Sequence, residues 1–565
     1  MHLLKRLQHK SLAERSMFVI IAIGTLLRLI LIYFNWPITN SDEGNMGLVA
    51  LHIAYQGDHP TFFYGLPYMG PLEGYVAAPL FHLFGASLFT LRLALLPFYI
   101  GFLLSMFYLI RYLYSEKFAL ATVVLLSLGS ADVIFLQMKA VGEYPEMLMF
   151  SALICLLTVS LALSSHRQQQ EKWKRIFVYG FLGLIIGLAL WVDFLIAPFV
   201  AMGGLLLFLF CRRELWHWQG LSLLVGIIVG AFPLLYYNLT APIAQNSLNI
   251  LLDIHHGGAG LMLMLHYTRL YQLAGAIMIA LPAATGASSH CVVNAFPPFG
   301  PLNSANLPCI VFQGGWGFGY LLLWTIAAGI AVYGIWRYRR QLRSGFVKDA
   351  PDARFEERQE VIRQCGRLVL LVSAGITLLL YAISPSAAVY PDTSFRYLAC
   401  LLLTLPALLW IVWRSLSTQR LSTKWYTATT FLLKIVLLLL VAMTFLVGTV
   451  RTFMDVPSAQ ATYQSEQALI QNLLKVGATR IYSEYWTCNR LTFDSQEKII
   501  CSVVNDQLQP GFDRYLPYRA IVHASPHPAY VFPTGSPQIQ AIEHKFAPTH
   551  YKEYQFDGYV VFKLT

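Results

Sequence analysis

The chain has 565 residues, of which 56% are hydrophobic and only 12% are charged. This composition excludes an ordinary soluble globular protein, in which about a quarter of the residues are charged, and predicts a membrane protein. The formal net charge of +11 does not indicate a nucleic-acid partner, because the basic residues stand in short segments between long apolar runs, where they set membrane orientation.

Eleven segments are long and apolar enough to cross a bilayer as helices, which takes about 20 residues each. The predicted spans are residues 17–34, 88–110, 118–137, 145–163, 176–191, 194–210, 221–237, 316–336, 368–384, 395–413 and 425–450. A further apolar stretch, residues 261–281, contains His266 and Arg269 and is followed by Pro282. We therefore expect it to lie at the interface or to re-enter the membrane from outside.

Lysine and arginine in the connections predict the orientation, because cytoplasmic loops retain them. The basic connections are residues 1–16, 165–175, 211–219, 337–367 and 414–424. Residues 35–87, in contrast, contain acidic residues and no lysine or arginine. The pattern predicts a multi-pass protein of the cell (plasma or inner) membrane, with a cytoplasmic amino terminus and an extracytoplasmic carboxyl-terminal segment.

The carboxyl-terminal segment, residues 451–565, has charged residues throughout and short alternating runs typical of strands. Strands are expected at residues 480–482, 499–504, 529–532 and 559–564, after an amphipathic helix at 458–476. The predicted domains are thus a transmembrane domain, 1–450, with a functional first outer loop at 35–87, and a small extracytoplasmic α/β domain, 451–565. Two local cysteine pairs, Cys291 with Cys309 and Cys488 with Cys501, are disulfides or free thiols.

The first outer loop contains the strongest candidates for catalytic residues. Asn40-Ser41-Asp42-Glu43-Gly44 directly follows the first helix, and Tyr64 to Glu73 follows about 20 residues later. A carboxylate at the bilayer surface suits a general base that accepts a hydroxyl proton, and Asp42 is the first candidate, with Glu43 and Glu73 beside it. The alternative is that Asp42 or Glu43 caps the helix that begins near Gly44 and that Glu73 is a solvated loop acid.

A second short outer loop places a cation and two acids between apolar helices. Lys139 is a candidate phosphate ligand, and Glu143 and Glu146 are candidates for assisting Asp42, binding a metal or binding substrate. Alternatively, Lys139 extends to lipid headgroups and the two acids cap the following helix.

Arginines supply bidentate donors for phosphate, which makes Arg269 and Arg396 candidate phosphate ligands, although headgroup anchoring explains each equally well. Arg28, Arg92 and Lys434 lie inside apolar runs and are interpreted as snorkelling or helix-pairing residues. His255-His256 lacks the spacing of a metal site, so no metal ligands are predicted.

Together these residues resemble the membrane-embedded C-type glycosyltransferases, particularly the branch with protein O-mannosyltransferases and lipid A aminoarabinose transferases. The resemblance rests on Asp42-Glu43 after the first helix, on the loop from Tyr64-Gly65 to Pro71-Leu72-Glu73, on Lys139 to Glu146, and on Phe395-Arg396-Tyr397-Leu398. The run from Tyr482 to Phe493 also resembles the tail domain of bacterial relatives.

The resemblance implies an inverting transfer of a sugar from a polyprenyl-phosphate donor, with Asp42 deprotonating the acceptor. It assigns Lys139, Arg269 and Arg396 to the departing lipid phosphate, and Tyr64 to substrate binding. The acceptor class (lipid, glycan or protein) stays open, as does a divalent metal as cofactor. One departure is that Glu73 is followed by Gly74-Tyr75, where the aminoarabinose transferases have a lysine and two prolines.

Two other function classes are compatible with the sequence. The first is a lipid or glycan transporter or flippase, since such proteins also carry charges between many helices. The second is a non-catalytic membrane scaffold whose outer tail binds partners. The absence of an inverted repeat and of paired broken helices in the sequence reading favours the glycosyltransferase over both.

Overall fold

The computed structural model describes residues 12–165, 172–287, 307–343, 351–418 and 425–564, and it is mostly helical. The helices of the first half are Leu12–Tyr33 (α1), Ser41–Tyr55 (α2), Leu72–Phe84 (α3), Leu88–Leu93 (α4), Leu96–Leu113 (α5), Glu116–Ser127 (α6), Ala131–Met138 (α7), Tyr144–Leu163 (α8), Lys172–Val192 (α9), Ala197–Leu215 (α10), Trp218–Gly230 (α11), Phe232–Thr240 (α12) and Ser247–Met264 (α13). The later helices are Arg269–Gly275 (α14), Leu281–Thr285 (α15), Leu307–Arg343 (α16), Pro351–Ala382 (α17), Ser386–Val389 (α18), Pro391–Ser394 (α19), Leu405–Thr418 (α20), Trp425–Met454 (α21), Val456–Lys475 (α22), Tyr485–Asp494 (α23), Pro517–His523 (α24) and Pro537–Lys545 (α25).

Nine helical segments within the described ranges are long and apolar enough to cross a membrane, and each covers a predicted span. Two bent pairs, α6 with α7 at 87° and α11 with α12 at 63°, cover the other two predicted spans. Counting bent pairs as single spans gives up to 12, so the predicted eleven lies within the observed range. The multi-pass prediction is confirmed, whereas the orientation stays a prediction.

The stretch expected to re-enter or lie at the interface is sharply bent. Ser247–Met264 and Arg269–Thr285 meet at 111° across a break of a few residues. A π-helical segment, Ala276–Ala280, joins α14 to α15, and Pro282 lies at the start of α15. A single straight span through residues 261–281 is therefore absent from this described part of the chain, as the proline and the polar residues predict.

The chain divides into two compact units. The helical unit comprises residues 1–26, 97–137 and 144–452, and the loop–tail unit comprises residues 27–96, 138–143 and 453–565. The first outer loop and the tail, which are far apart in sequence, therefore belong to one compact unit.

The tail contains a five-stranded sheet, whose strands are Arg480–Ser483 (β1), Ile500–Val503 (β2), Ala529–Pro533 (β3), Tyr551–Phe556 (β4) and Tyr559–Leu564 (β5). Their order in the sheet is β2-β1-β3-β5-β4. The first three are parallel, and β5 runs antiparallel to both β3 and β4. The four predicted strands are present, whereas β4 was missed because this edge strand is largely solvent-exposed and its sequence, YKEYQF, is polar.

A disulfide ties α23 to the sheet. Cys488 of α23 is bonded to Cys501 of β2 with their Cα atoms 5.3 Å apart, and both side chains are buried in the core between helix and sheet. Of the two alternatives that the sequence left open for this pair, the structure shows the disulfide. Cys291 lies outside the described residues, so the choice between disulfide and free thiols for Cys291 and Cys309 stays open.

Helix α2 lies against α23 with almost no space between the backbones. A Cβ atom on Gly44 would lie 2.6 Å from the backbone of Arg490, and one on Gly47 would lie 2.5 Å from the ring of Phe493. The backbone amide of Asn489 also donates to the Ser41 hydroxyl at 3.1 Å. Small residues on α2 are therefore required for the first outer loop to contact the tail.

We predict that Gly44→Ala lowers the stability of the folded chain by about 1–3 kcal/mol, because the added methyl group meets backbone that cannot move aside. Gly204→Ala, in α10, is the matched control: a Cβ there meets no described atom within 4 Å, so we expect unchanged or slightly raised stability. Thermal unfolding of both purified variants in detergent checks the difference. Equal transition temperatures would refute the packing argument.

Candidate functional site

Asn40 is the N-cap of α2. Its side-chain oxygen accepts the backbone amide of Glu43 at 3.0 Å, and its backbone is extended, as at other N-caps. The capping role that was the alternative for Asp42 or Glu43 is therefore filled by a neighbour. Both carboxylates project from the first turn and are available for other contacts.

Glu43 forms a buried ion pair with Arg92 of α4. Arg92 donates to Oε1 through Nε at 2.8 Å and to Oε2 through Nη2 at 2.6 Å, and both side chains are fully buried. The amide of Ala140 also donates to Oε1 at 3.1 Å. Burial acts to raise the pKa of Glu43, but the charge and hydrogen bonds of Arg92, with Lys139 and Ala140, outweigh it and hold the pKa below its ordinary value.

The segment after α7 is bound to the first outer loop at two further points. Lys139 donates through Nζ to the carbonyl of Ile38 at 2.8 Å, and the amide of Gly142 donates to Oε2 of buried Glu73 at 2.9 Å. Glu143, also buried, has a left-handed backbone with φ of 71°. Residues 138–143 are distant in sequence from the first outer loop but belong to the same unit. Lys139 and Glu143 thus lie in the loop–tail unit together with Glu43 and Glu73.

Asp42 points to the tail. Its Oδ1 accepts a hydrogen bond from Arg514 Nη2 at 2.7 Å and another from the Tyr485 hydroxyl at 2.5 Å. The Tyr485 hydroxyl in turn accepts from Arg514 Nε at 2.7 Å, which closes a three-membered network. Burial and the charge of Asp42 raise the pKa of Tyr485, so it stays protonated and donates.

Aromatic side chains surround the Arg514 guanidinium. Its central carbon lies 5.3 Å from the ring centroid of Phe63, 5.4 Å from that of Phe512 and 5.7 Å from that of Tyr485. Gly65 packs on the aliphatic stem: its φ is 78°, and a Cβ there would lie 2.9 Å from Arg514 Cδ. The Tyr64-Gly65 turn requires glycine for both reasons, and it holds Arg514 in place.

A second contact between loop and tail centres on His52, which is fully buried in α2. Its Nδ1 lies 2.8 Å from the Tyr64 hydroxyl, and its Nε2 lies 3.2 Å from Glu497 Oε1 and 3.1 Å from the Tyr518 hydroxyl. The hydrogen bond from His52 is the main cause that lowers the pKa of Glu497. Tyr64, predicted to bind substrate, is therefore held by a buried polar network.

Three predicted site residues belong to the helical unit. Glu146 is buried in the first turn of α8, and Arg269 is exposed at the start of α14. Arg396 lies in a 3₁₀ segment, Phe395–Thr404, with its guanidinium 5.7 Å from the ring of Tyr144. Their roles in binding phosphate or substrate stay predictions.

The sequence reading did not identify Arg514, His52 or the role of Arg92. Arg514 stands in the run Gly511-Phe512-Asp513-Arg514-Tyr515, and a cation between aromatic residues is the signal that was available. Arg92 was interpreted as a snorkelling or helix-pairing residue, and it does pair two helices, but the sequence did not identify its partner Glu43, 49 positions earlier in α2. A partner so distant in sequence leaves no local pattern.

No group of three or more histidine, cysteine or acidic side chains that could hold a metal ion occurs among the described residues. His255 and His256 lie in α13, with their ring centroids 6.3 Å apart.

Asp494, the last residue of α23, lies near four other charged groups. Its Oδ2 is out of solvent and has no hydrogen-bond partner in the described ranges. Burial and the negative charges of Glu466 and Glu43 raise the pKa of Asp494 well above its ordinary value, against the opposing effect of Arg92 and Arg490.

We predict that Asp494→Asn stabilises the protein at pH 8 but not at pH 4. A carboxyl whose folded-state pKa is raised loses stabilising free energy as the pH rises above its ordinary value of 3.8, and asparagine does not ionise. Thermal unfolding at both pH values measures the effect. A variant less stable than the parent at pH 8 would contradict the raised pKa of Asp494.

For the buried ion pair, we predict that Glu43→Gln lowers stability by about 3–5 kcal/mol at neutral pH, because it leaves the Arg92 charge buried without a carboxylate. Since the pKa of Glu43 is lowered in the folded state, its contribution is present above the ordinary value of 4.5 and is lost as the pH falls further. The difference in melting temperature between parent and variant should therefore shrink in acid. A constant difference would contradict the assignment.

No protein-family model matches the chain, and no curated protein matches its sequence. Solved structures do match. ArnT from Cupriavidus metallidurans bound to undecaprenyl phosphate is 13% identical, with a TM-score of 0.52 over 97% of each chain. ArnT in the apo state is also 13% identical, with a TM-score of 0.51 over 98% of each chain. The archaeal oligosaccharyltransferase AglB from Archaeoglobus fulgidus is 12% identical, with a TM-score of 0.44, and the match covers 98% of this chain and 75% of the AglB chain.

The match to ArnT shows the fold. ArnT is a C-type glycosyltransferase, a lipid A aminoarabinose transferase, and the alignment covers nearly the whole of both chains. The predicted class, an α-helical polytopic membrane protein of the C-type glycosyltransferase fold with a small α/β tail, is therefore confirmed.

Proposed function

We propose that the protein is a glycosyltransferase that moves a sugar from a polyprenyl-phosphate donor to an acceptor on the extracytoplasmic face of the membrane. The observation that carries the proposal is the Asp42 carboxylate, which projects from the capped start of α2 and contacts a fixed arginine. The fold adds support, because ArnT, which shares it, was solved bound to undecaprenyl phosphate.

Asp42 is the acid best placed to act as general base. Glu43 and Glu73 are fully buried, and both oxygens of Glu43 are already engaged by Arg92. The Asp42 side chain is 13% exposed, and its hydrogen bonds to described residues use only Oδ1. Oδ2 is thus left to accept the proton of an acceptor hydroxyl.

In the proposed reaction, the acceptor hydroxyl gives its proton to Asp42 while its oxygen attacks the anomeric carbon of the donor sugar. The bond from that carbon to the phosphate oxygen breaks, and the polyprenyl phosphate departs as an anion. Attack opposite the leaving group inverts the anomeric centre. Preplaced cations stabilise the charge that develops on the phosphate, a role that we assign to Lys139, Arg269 and Arg396.

The other acids have supporting roles in this proposal. Glu43 and Glu73 hold the segment after α7 against the first outer loop through the amides of Ala140 and Gly142. Their part in the reaction is therefore to position the loop that carries Asp42. Tyr64, Glu143 and Glu146 are proposed to contact the substrate.

We predict that Asp42→Asn lowers sugar transfer by about 10²–10⁴-fold, the usual contribution of a general base. The variant should still fold, with a lower melting temperature because the ion pair with Arg514 loses its carboxylate. Transfer is measured with purified protein and a panel of undecaprenyl-phosphate sugars. Asp58→Asn is the matched control, because it removes a more exposed acid from the same loop. Undiminished transfer by the Asp42 variant would exclude this residue as the base, whereas a parent protein without any transfer would favour transport or a scaffold role.

A further inference from the structure

An arginine of the tail is part of the proposed site. Arg514 lies between β2 and α24, and its side chain is 8% exposed. It reaches the candidate base Asp42 across 472 positions of sequence. The inference that follows concerns the donor-binding part of this site and rests on the proposed function.

The hydrogen bonds of the guanidinium leave one edge open. A guanidinium has a side edge, formed by Nε and one terminal nitrogen, and an end edge, formed by both terminal nitrogens. Asp42 and Tyr485 occupy the side edge of Arg514, since Nη2 donates to one and Nε to the other. Nη1 is out of solvent and has no hydrogen-bond partner anywhere in the described ranges.

An open donor on a buried guanidinium is unusual, because buried polar groups in folded proteins are nearly always hydrogen-bonded. The position of Arg514 is also fixed: Tyr485 and Asp42 orient one edge, and the rings of Phe63 and Phe512 flank the group. Gly65 holds the aliphatic stem from the loop side. A fixed cation whose end edge is open is a preorganised site for an anion with two oxygens.

We propose that Arg514 binds the phosphate of the lipid-linked donor through its end edge while its side edge holds Asp42. One guanidinium then sets the separation between the base and the leaving group, so the tail domain contributes a donor ligand. Two oxygens of the phosphate accept the hydrogen bonds, and no bond to Asp42 is lost. The same chemistry would suit a phosphate on the acceptor, and the kinetic experiment below separates the two sources.

The test measures binding first, independently of turnover. The full-length purified protein is titrated with undecaprenyl phosphate, and with undecaprenol as the lipid that lacks phosphate. We expect Arg514→Gln to weaken undecaprenyl phosphate binding by tenfold or more without changing undecaprenol binding. Arg514→Lys, which keeps the charge but loses the two-pronged geometry, should fall between the parent and Arg514→Gln.

Arg519→Gln is the matched control. It removes the same charge from the same stretch of the tail, but Arg519 contacts Asp513 and the Gly511 carbonyl instead of Asp42. We expect it to bind undecaprenyl phosphate like the parent. Equal binding by the parent and by Arg514→Gln, with both variants folded by thermal unfolding, overturns the proposal.

Steady-state transfer identifies the source of the phosphate. An increase in KM for the donor in Arg514→Lys, with KM for the acceptor unchanged, supports the proposal. An increase confined to the acceptor overturns it and places the phosphate on the acceptor. Failure of the proposed function has a different signature, namely a parent protein that neither binds undecaprenyl phosphate nor transfers sugar from any undecaprenyl-phosphate donor.

Discussion

The loop–tail unit depends on the buried ion pair between Glu43 and Arg92. Two opposite charges with no access to water are stable only when each satisfies the other, and here the carboxylate receives two arginine hydrogen bonds and one backbone amide. These contacts fix the first turn of α2 relative to α4 and to the segment after α7. Because Asp42 precedes Glu43 by one residue, the same turn that buries Glu43 directs Asp42 elsewhere, toward Arg514.

The second constraint is the close approach of α2 to α23. Glycines at positions 44 and 47 let the backbone of one helix touch the other, and this contact brings the tail next to the first outer loop. The aromatic residues around Arg514 and the buried His52 network then join the same two segments at further points. The tail is therefore built into the candidate site, and the chemistry of Asp42 and Arg514 has to be considered together.

Much of the fold followed from local pattern. Long apolar runs predicted the spans, because a helix in lipid must satisfy its own backbone and present apolar side chains. Each of the nine candidate membrane helices among the described residues overlaps a predicted span. Alternating runs predicted four of the five strands and the helix before them. The sequence left a bond between Cys488 and Cys501 open, and the structure shows it. The edge strand Tyr551–Phe556 was missed, since its three aromatic residues are only partly buried and alternate irregularly with exposed Lys552, Glu553 and Gln555.

The sequence by itself determined the membrane class, the span positions, the tail and the acidic first loop, because each depends on residues close together in the chain. Only the tertiary structure decided that Asn40 is the cap, that Glu43 is buried against Arg92, and that Asp42 meets Arg514. An ion pair between residues 42 and 514 has no periodicity or spacing that marks it. It exists because folding brings those side chains within hydrogen-bond distance, and no local pattern in a single sequence shows which distant residues will meet.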